Sequence, residues 1–96
     1  MRRAEADLFV ENTKAAAKII DVIQKYTTLE KRGSNFWGRC PFHESKVSTL
    51  SVADEKGFFY CFKCHKGGNV FKFVSLAENI SYFDAVKKLA KEYGVG

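Results

Sequence analysis

Two short pairs of metal-ligating residues constrain the fold of this chain more than any other feature. The first pair is Cys40-Pro41-Phe42-His43 and the second is Cys61-Phe62-Lys63-Cys64. In each pair two residues separate the potential ligands, so a tight turn can direct both side chains to one point. Structural zinc is almost always bound by four such thiolate or imidazole ligands. The spacing therefore predicts one tetrahedral Zn2+ ion held by Cys40, His43, Cys61 and Cys64.

The size of the chain makes such an ion important for stability. With 96 residues, 46% of them hydrophobic, the chain can form one domain with a small core. Domains of this size leave much of their surface exposed and have little stability to spare. Zinc binding contributes roughly 10–16 kcal/mol in small zinc peptides, as much as the net stability of a typical domain. We therefore expect folding to depend on the metal.

Other chemistries could use the same cysteines. Cys61 to His65 has the Cys-x-x-Cys-His pattern of c-type haem attachment, but haem would leave Cys40 and His43 without a role. A thioredoxin-like redox pair at Cys61 and Cys64 would need a surrounding βαβ pattern, which the sequence lacks. His65 could replace His43 as a ligand, but it follows Cys64 directly and lacks the two-residue gap. Zinc with His43 as fourth ligand accounts for all four residues.

Charge and cysteine usage indicate the partner and the compartment. Lysine and arginine number 16 against 11 acidic residues, a formal charge of +5. This excess fits an anionic partner such as nucleic acid, although ordinary surface lysines give the same count. An odd number of cysteines argues against a disulfide framework and for a reducing compartment. With no transmembrane run or apolar signal segment visible, we expect a cytoplasmic protein without membrane contact.

Periodicity predicts helices at both ends and strands between them. The predicted helices span about 4–26, with a break at Asn12-Thr13 as an alternative, and about 69–93, with caps at Asn69 and Ser81. The ribbon spans about 27–66. Its predicted segments are a short strand at 27–30, a basic turn at 31–34, and strands at 35–39, 50–52 and 58–61. The predicted fold class is α+β, in one domain that spans residues 1–96. It is a zinc ribbon, meaning a small antiparallel β-sheet with one structural zinc, and it is packed with N- and C-terminal α-helices.

Two segments carry a resemblance to a known family. Residues 35–46, and residues 55–64 followed by Gly67-Gly68-Asn69-Val70, look like the two knuckles of the zinc-binding domain of bacterial-type (DnaG-type) DNA primases. Segments 20–26 and 81–86 are similar too, so the resemblance covers roughly 19–95. The chain departs from the family pattern at Val47-Ser48-Thr49-Leu50, where proline usually precedes the serine and phenylalanine replaces Leu50. It also carries Lys63, His65 and Lys66 at or near glycine positions.

The resemblance implies a function in DNA replication. In that family this domain helps to recognise the single-stranded DNA template, while a separate TOPRIM-type catalytic domain makes the RNA primer. It implies that the parent protein is a nucleotidyltransferase, a DNA-directed RNA polymerase. The catalytic domain would cooperate with this domain in cis or in trans, and the replicative helicase would bind through other regions of the parent protein. The acidic residues of this chain are scattered, so we expect no catalytic residues here.

A single-strand-binding surface combines basic residues with aromatic rings on which bases stack. Strand alternation places Trp37 on the opposite face from Phe36, and Phe59 on the opposite face from Tyr60, but leaves open which faces are outside. The candidate nucleic-acid-binding residues are Lys31, Arg32, Asn35, Trp37, Arg39, Lys46, Lys56, Phe59 and Lys63. The competing interpretation is a structural or protein-interaction ribbon without direct DNA contact.

Overall fold

The computed structural model describes residues 3–42 and 47–95. Helices α1 (Arg3–Ala16) and α2 (Ile19–Ile23) precede the sheet, and helices α3 (Val70–Glu78) and α4 (Tyr82–Glu92) follow it. Strands β1 (Leu29–Arg32), β2 (Asn35–Gly38), β3 (Leu50–Ala53), β4 (Phe58–Cys61) and β5 (Gly67–Gly68) form one antiparallel sheet in chain order. The predicted α+β fold, a small antiparallel sheet with helices at both ends, is confirmed. No helix in the described ranges is long and apolar enough to cross a membrane.

The N-terminal helical region breaks later than Asn12-Thr13, the position that the sequence suggested. Helix α1 continues through both residues to Ala16. Thr13 is fully buried, and its hydroxyl donates to the carbonyl oxygen of Phe9 at 2.7 Å, so it bonds back into the helix instead of capping a new one. The break comes at Lys18, whose extended backbone (φ −62°, ψ 135°) separates α1 from α2.

Two parts of the sheet differ from the expectation. Lys31 and Arg32 belong to β1 and not to a turn, because Arg32 pairs with Asn35 and leaves a two-residue connection that begins at Gly33 with φ +65°. The sequence also gave no sign of β5, in which two glycines pair with Phe59 and Tyr60. Glycine is required here because a Cβ on Gly67 would lie 2.9 Å from the carbonyl oxygen of Phe59.

The register across β2, β3 and β4 decides which face of the sheet packs on the helices. Phe36, Val52 and Phe59 are direct neighbours across the three strands, and Val52 and Phe59 are almost completely buried. The Phe59 ring meets Phe73 of α3 edge to face, with centroids 5.2 Å apart. The remaining large core side chains come from α2, α3, α4 and β3; they include Ile23, Phe71, Val74, Leu89 and Leu50.

The opposite face of the sheet is exposed to solvent. Trp37, Ser51 and Tyr60 are direct neighbours on this side of β2, β3 and β4, and Tyr60 is exposed. We call this side the open face; by register and alternation it carries Glu30, Arg32, Asn35, Trp37, Ser51, Phe58 and Tyr60. The cap predictions for the helices behind the sheet are confirmed. Asn69 accepts from the amide of Lys72 at 3.0 Å, and Ser81 accepts from the amide of Asp84 at 3.1 Å.

Candidate metal centre and open sheet face

Three cysteine sulfurs meet at one end of the sheet. Cys40 follows β2, Cys61 ends β4, and Cys64 lies in the turn after it. All three Sγ atoms lie within 4.8 Å of one another, and Cys40 Sγ is 3.8 Å from Cys64 Sγ. In a tetrahedral site with Zn–S bonds of about 2.3 Å, two sulfurs are about 3.8 Å apart. The cluster therefore has the spacing of three corners of a zinc site.

Hydrogen bonds shape the second knuckle around its first sulfur. The amide of Cys64 donates to Cys61 Sγ at 3.4 Å, and the hydroxyl of Thr49 lies at the same distance from that sulfur. The amide of His65 donates to the carbonyl oxygen of Cys61 at 2.9 Å, and His65 itself has a left-handed backbone with φ +59°. The Cys64 amide thus donates to this sulfur, and the Thr49 hydroxyl can act as donor or acceptor there.

The surroundings of Cys40 raise the pKa of its thiol in the absence of a cation. Burial raises the pKa of the Cys40 thiol to about 12; a backbone hydrogen bond at Phe42 opposes this rise, and the neighbouring Cys61 and Cys64 add to it. Three close thiolates would repel one another in this buried place, whereas a bound divalent cation deprotonates a coordinating thiol. Spacing and donor chemistry together fit a structural zinc ion.

The predicted fourth ligand, His43, lies outside the described residues, as does Lys46. In the described part of the chain the metal-ligating cluster consists of the three cysteines. The alternative ligand His65 is not among them, because its exposed ring lies with Nδ1 2.9 Å from the hydroxyl of Tyr60. His43 therefore stays the predicted fourth ligand.

An aromatic cluster occupies the open face beside the cysteines. Trp37 and Phe62 stack with centroids 5.7 Å apart and planes inclined by 18°, and Tyr60 meets Phe62 edge to face at 5.1 Å. The Phe62 residue is 58% exposed and Tyr60 38% exposed. We call Trp37, Tyr60 and Phe62 the aromatic platform. Contiguous exposed apolar patches are typical of interaction surfaces.

Sequence reasoning missed two of these three rings. Alternation placed Tyr60 opposite Phe59, but it did not show which of the two was outside. Phe62 lies between Cys61 and Cys64, and its exposure depends on the turn between them. The sequence did carry a signal for the exposure of Phe62. When two ligand side chains converge on a metal, the residues between them lie on the outer side of the turn.

The structure separates the predicted nucleic-acid-binding residues into groups. Arg32, Asn35 and Trp37 lie on the open face, and Arg39 lies beside Trp37 in a groove of about 360 Å3. We call it the Trp37 groove; it is lined by Thr27, Thr28, Glu30, Trp37, Arg39 and Ser48. The exposed side chain of Lys56 belongs to the turn between β3 and β4, and that of Lys63 to the second knuckle.

One predicted contact must be corrected, and a second lies away from the open face. Phe59 is only 2% exposed, because its ring packs on α3, so it cannot offer a surface on which a base stacks. Lys31 is exposed, but its cross-strand neighbour is Phe36, which places it on the side of the helices and not on the open face. Tyr60 and Phe62, and not Phe59, are the exposed rings near this end of β4.

Comparison with known proteins gives this geometry a family context. A family model described as the CHC2 zinc finger, a zinc ribbon of DnaG type, matches residues 5–96. The chain is 46% identical over 85 residues to the DNA primase of Aquifex aeolicus, and 43% identical over 81 residues to that of Enterococcus faecalis. The matched segments cover 88% and 84% of this chain but only 17% and 13% of those two proteins.

A solved structure shows the same fold. The crystal structure of the Aquifex aeolicus primase, comprising zinc binding and RNA polymerase domains, matches with a TM-score of 0.83 and 45% sequence identity. The match covers 90% of this chain and 21% of that one. The similarity thus extends over nearly all the chain, although the chain spans a small part of its relatives.

Proposed function

Because the chain belongs to the CHC2 zinc finger family of DnaG-type primases, we propose that it is the template-recognition domain of a DNA primase. In this role it binds single-stranded DNA and helps a separate catalytic domain to begin RNA primer synthesis in DNA replication. The parent enzyme is a nucleotidyltransferase, and this domain contributes binding without catalytic residues.

The observation that carries the proposal is the aromatic platform with its basic surroundings. Proteins that bind single strands combine stacking rings with cations that follow the phosphates. On the open face, Trp37, Tyr60 and Phe62 supply the rings, and Arg32 and Arg39 lie on the same side of the sheet. Lys63, exposed between two predicted ligands, adds positive charge beside the platform, whereas Lys56 lies in the turn at the other end of β4.

The zinc ion has a positioning role in this proposal. Cys40 lies three residues after Trp37, and Phe62 lies between Cys61 and Cys64. Binding the cysteines to one ion fixes both halves of the Trp37–Phe62 stack. The predicted ligands Cys40, His43, Cys61 and Cys64 occur in the order Cys, His, Cys, Cys, which agrees with the letters CHC2 in the family description.

The remaining partners belong to the parent protein. Since the chain spans less than a fifth of the length of the two primases it matches, the catalytic domain is proposed to lie elsewhere in the parent and to cooperate in cis or in trans. The replicative helicase is proposed to bind through other regions. Such a replication protein would act in the bacterial cytoplasm.

A salt titration tests the proposal. Binding of fluorescent single-stranded DNA to the zinc-loaded chain is followed by anisotropy over a range of salt concentrations. Contacts with Z phosphates predict a log–log slope near −0.7Z. NMR shifts on DNA addition should concentrate on the open face. A flat salt profile without shifts there would instead favour a structural or protein-interaction ribbon.

A further inference from the structure

The Trp37 groove has a composition that phosphate binding does not explain. Its lining combines an indole, a guanidinium and a carboxylate, from Trp37, Arg39 and Glu30 respectively. A volume of about 360 Å3 is at the lower end of the range for small-molecule sites. A carboxylate repels phosphate, so Glu30 weakens a purely electrostatic DNA surface. Its presence beside the stacking ring indicates a partner that donates hydrogen bonds.

Glu30 lines the groove and is paired with Arg32. It lies directly opposite Trp37 in the β1–β2 ladder, and its Oε2 is 3.1 Å from Nη2 of Arg32. Among the described residues, no hydrogen bond reaches the other carboxylate oxygen, Oε1. Both side chains of the pair are well exposed, so the pair adds little to fold stability. The single bond from Arg32 leaves acceptor capacity on the carboxylate free.

We propose that the Trp37 groove binds one guanine base of the template and that Glu30 reads its Watson–Crick edge. Guanine presents two adjacent donors on that edge, N1–H and the N2 amino group, which match the two oxygens of a carboxylate. Its O6 and N7 are acceptors that suit an arginine, here Arg39. Stacking on Trp37 holds the ring, and the edge is available because a single strand is unpaired. The inference rests on the proposed function.

The other bases fit the groove less well. Thymine has one donor between two carbonyl acceptors, which a carboxylate repels. Cytosine and adenine each offer one amino group next to a ring acceptor, so they present a single donor to Glu30. The hydroxyls of Thr28 and Ser48 can donate or accept, so they add affinity without choosing a base. The carboxylate is therefore the group that selects guanine.

The experiment compares short oligothymidines that carry one central guanine, adenine or cytosine. Anisotropy with the zinc-loaded chain should give about tenfold tighter binding for the guanine oligonucleotide than for oligothymidine. Glu30→Gln should remove this preference while leaving affinity for oligothymidine equal or higher, because a negative charge is lost. Glu11→Gln is the matched control, since it makes the same change at an exposed position of α1 and should keep the preference.

Three results would overturn the assignment. They are equal affinity for all the oligonucleotides, a preference for cytosine or adenine, and a guanine preference that survives Glu30→Gln in a variant with unchanged melting temperature. If binding is salt-dependent but shows no base preference, the guanine assignment fails and the proposed function stands. If no oligonucleotide binds, the proposed function fails as well.

Discussion

At the scale of single residues, the tightest constraint in the sheet lies at Gly38. A Cβ at this position would lie 2.5 Å from the carbonyl oxygen of Thr28 and 2.8 Å from Cδ2 of Leu29, its partner in β1. Contacts this short do not occur for real Cβ atoms, and the first involves backbone that cannot move aside easily. Glycine is thus needed two residues before the ligand Cys40 so that β1 can approach β2.

Gly38→Ala should therefore destabilise the domain although it adds only a methyl group. Overpacking typically costs about 1–3 kcal/mol. In a domain of this size each kcal/mol lowers the melting temperature by about 4–8 °C. The zinc-loaded variant should melt correspondingly lower by circular dichroism, whereas Ser34→Ala, at an exposed turn position, should not. An unchanged melting temperature for Gly38→Ala would show that β1 shifts without cost.

The platform can be tested one ring at a time. Phe62→Ala should weaken single-stranded DNA binding by about 1–3 kcal/mol if one base stacks on this ring. Phe83→Ala is a matched control, because Phe83 is 46% exposed on α4, away from the sheet. Equal losses for both variants in anisotropy titrations would contradict a base-stacking role of Phe62.

The two histidines should differ in their effect on zinc. His43→Ala is expected to lower zinc affinity, since it removes the predicted fourth ligand. His65→Ala should leave zinc content near one per chain, because the His65 ring is directed to the Tyr60 hydroxyl and not to the cysteines. Metal content by mass spectrometry after dialysis against a mild chelator measures both. If only the His65→Ala variant loses zinc, His65 and not His43 is the fourth ligand.

At the scale of elements, the second knuckle links the metal to the edge of the sheet. The amide of Cys61 donates to the carbonyl oxygen of Lys66 at 2.9 Å, and β5 follows at once. Cys64→Ser should abolish stable zinc binding and lower the melting temperature, because serine is a poor zinc ligand at this site. Retention of zinc with an unchanged melting temperature would contradict this link.

Elements with a strong local signal were predictable from the sequence, and those that depend on partners were not. Asn69 and Ser81 begin helices because their side chains accept from amides three residues later, which is local chemistry. The break after α1 comes at Lys18, where no side-chain cap marks the start of α2, and the two-residue β5 exists only because β4 lies beside it. Neither feature is visible in the residues themselves.

The candidate site shows the same division. The three cysteines form the predicted cluster, because the Cys-x-x-His and Cys-x-x-Cys spacings can be read directly from the sequence. The alternation of side chains correctly placed Phe59 and Tyr60 on opposite faces of the sheet. The pattern does not show which of the two faces is buried. The helices decide which side is buried, and they cover Phe59.

At the scale of the whole molecule, the metal end and the open face should respond together. Trp37 is the only tryptophan, it is half-buried, and it stacks on Phe62 within the second knuckle. Removal of zinc by a chelator should therefore shift its fluorescence to longer wavelength and abolish DNA binding, and added zinc should restore both. Unchanged emission after verified zinc removal would show that the platform forms without the metal.

The two edges of the sheet have a consequence for behaviour at high concentration. An edge strand exposes unpaired amides and carbonyls that can recruit strands from other chains and start aggregation. Here one edge is β1, with Glu30, Lys31 and Arg32 in succession, and the other is β5, which is only two glycines long. Successive charges and extreme shortness both discourage such recruitment. The domain can thus expose an aromatic surface on one face of the sheet without offering edge strands on which fibrils could form.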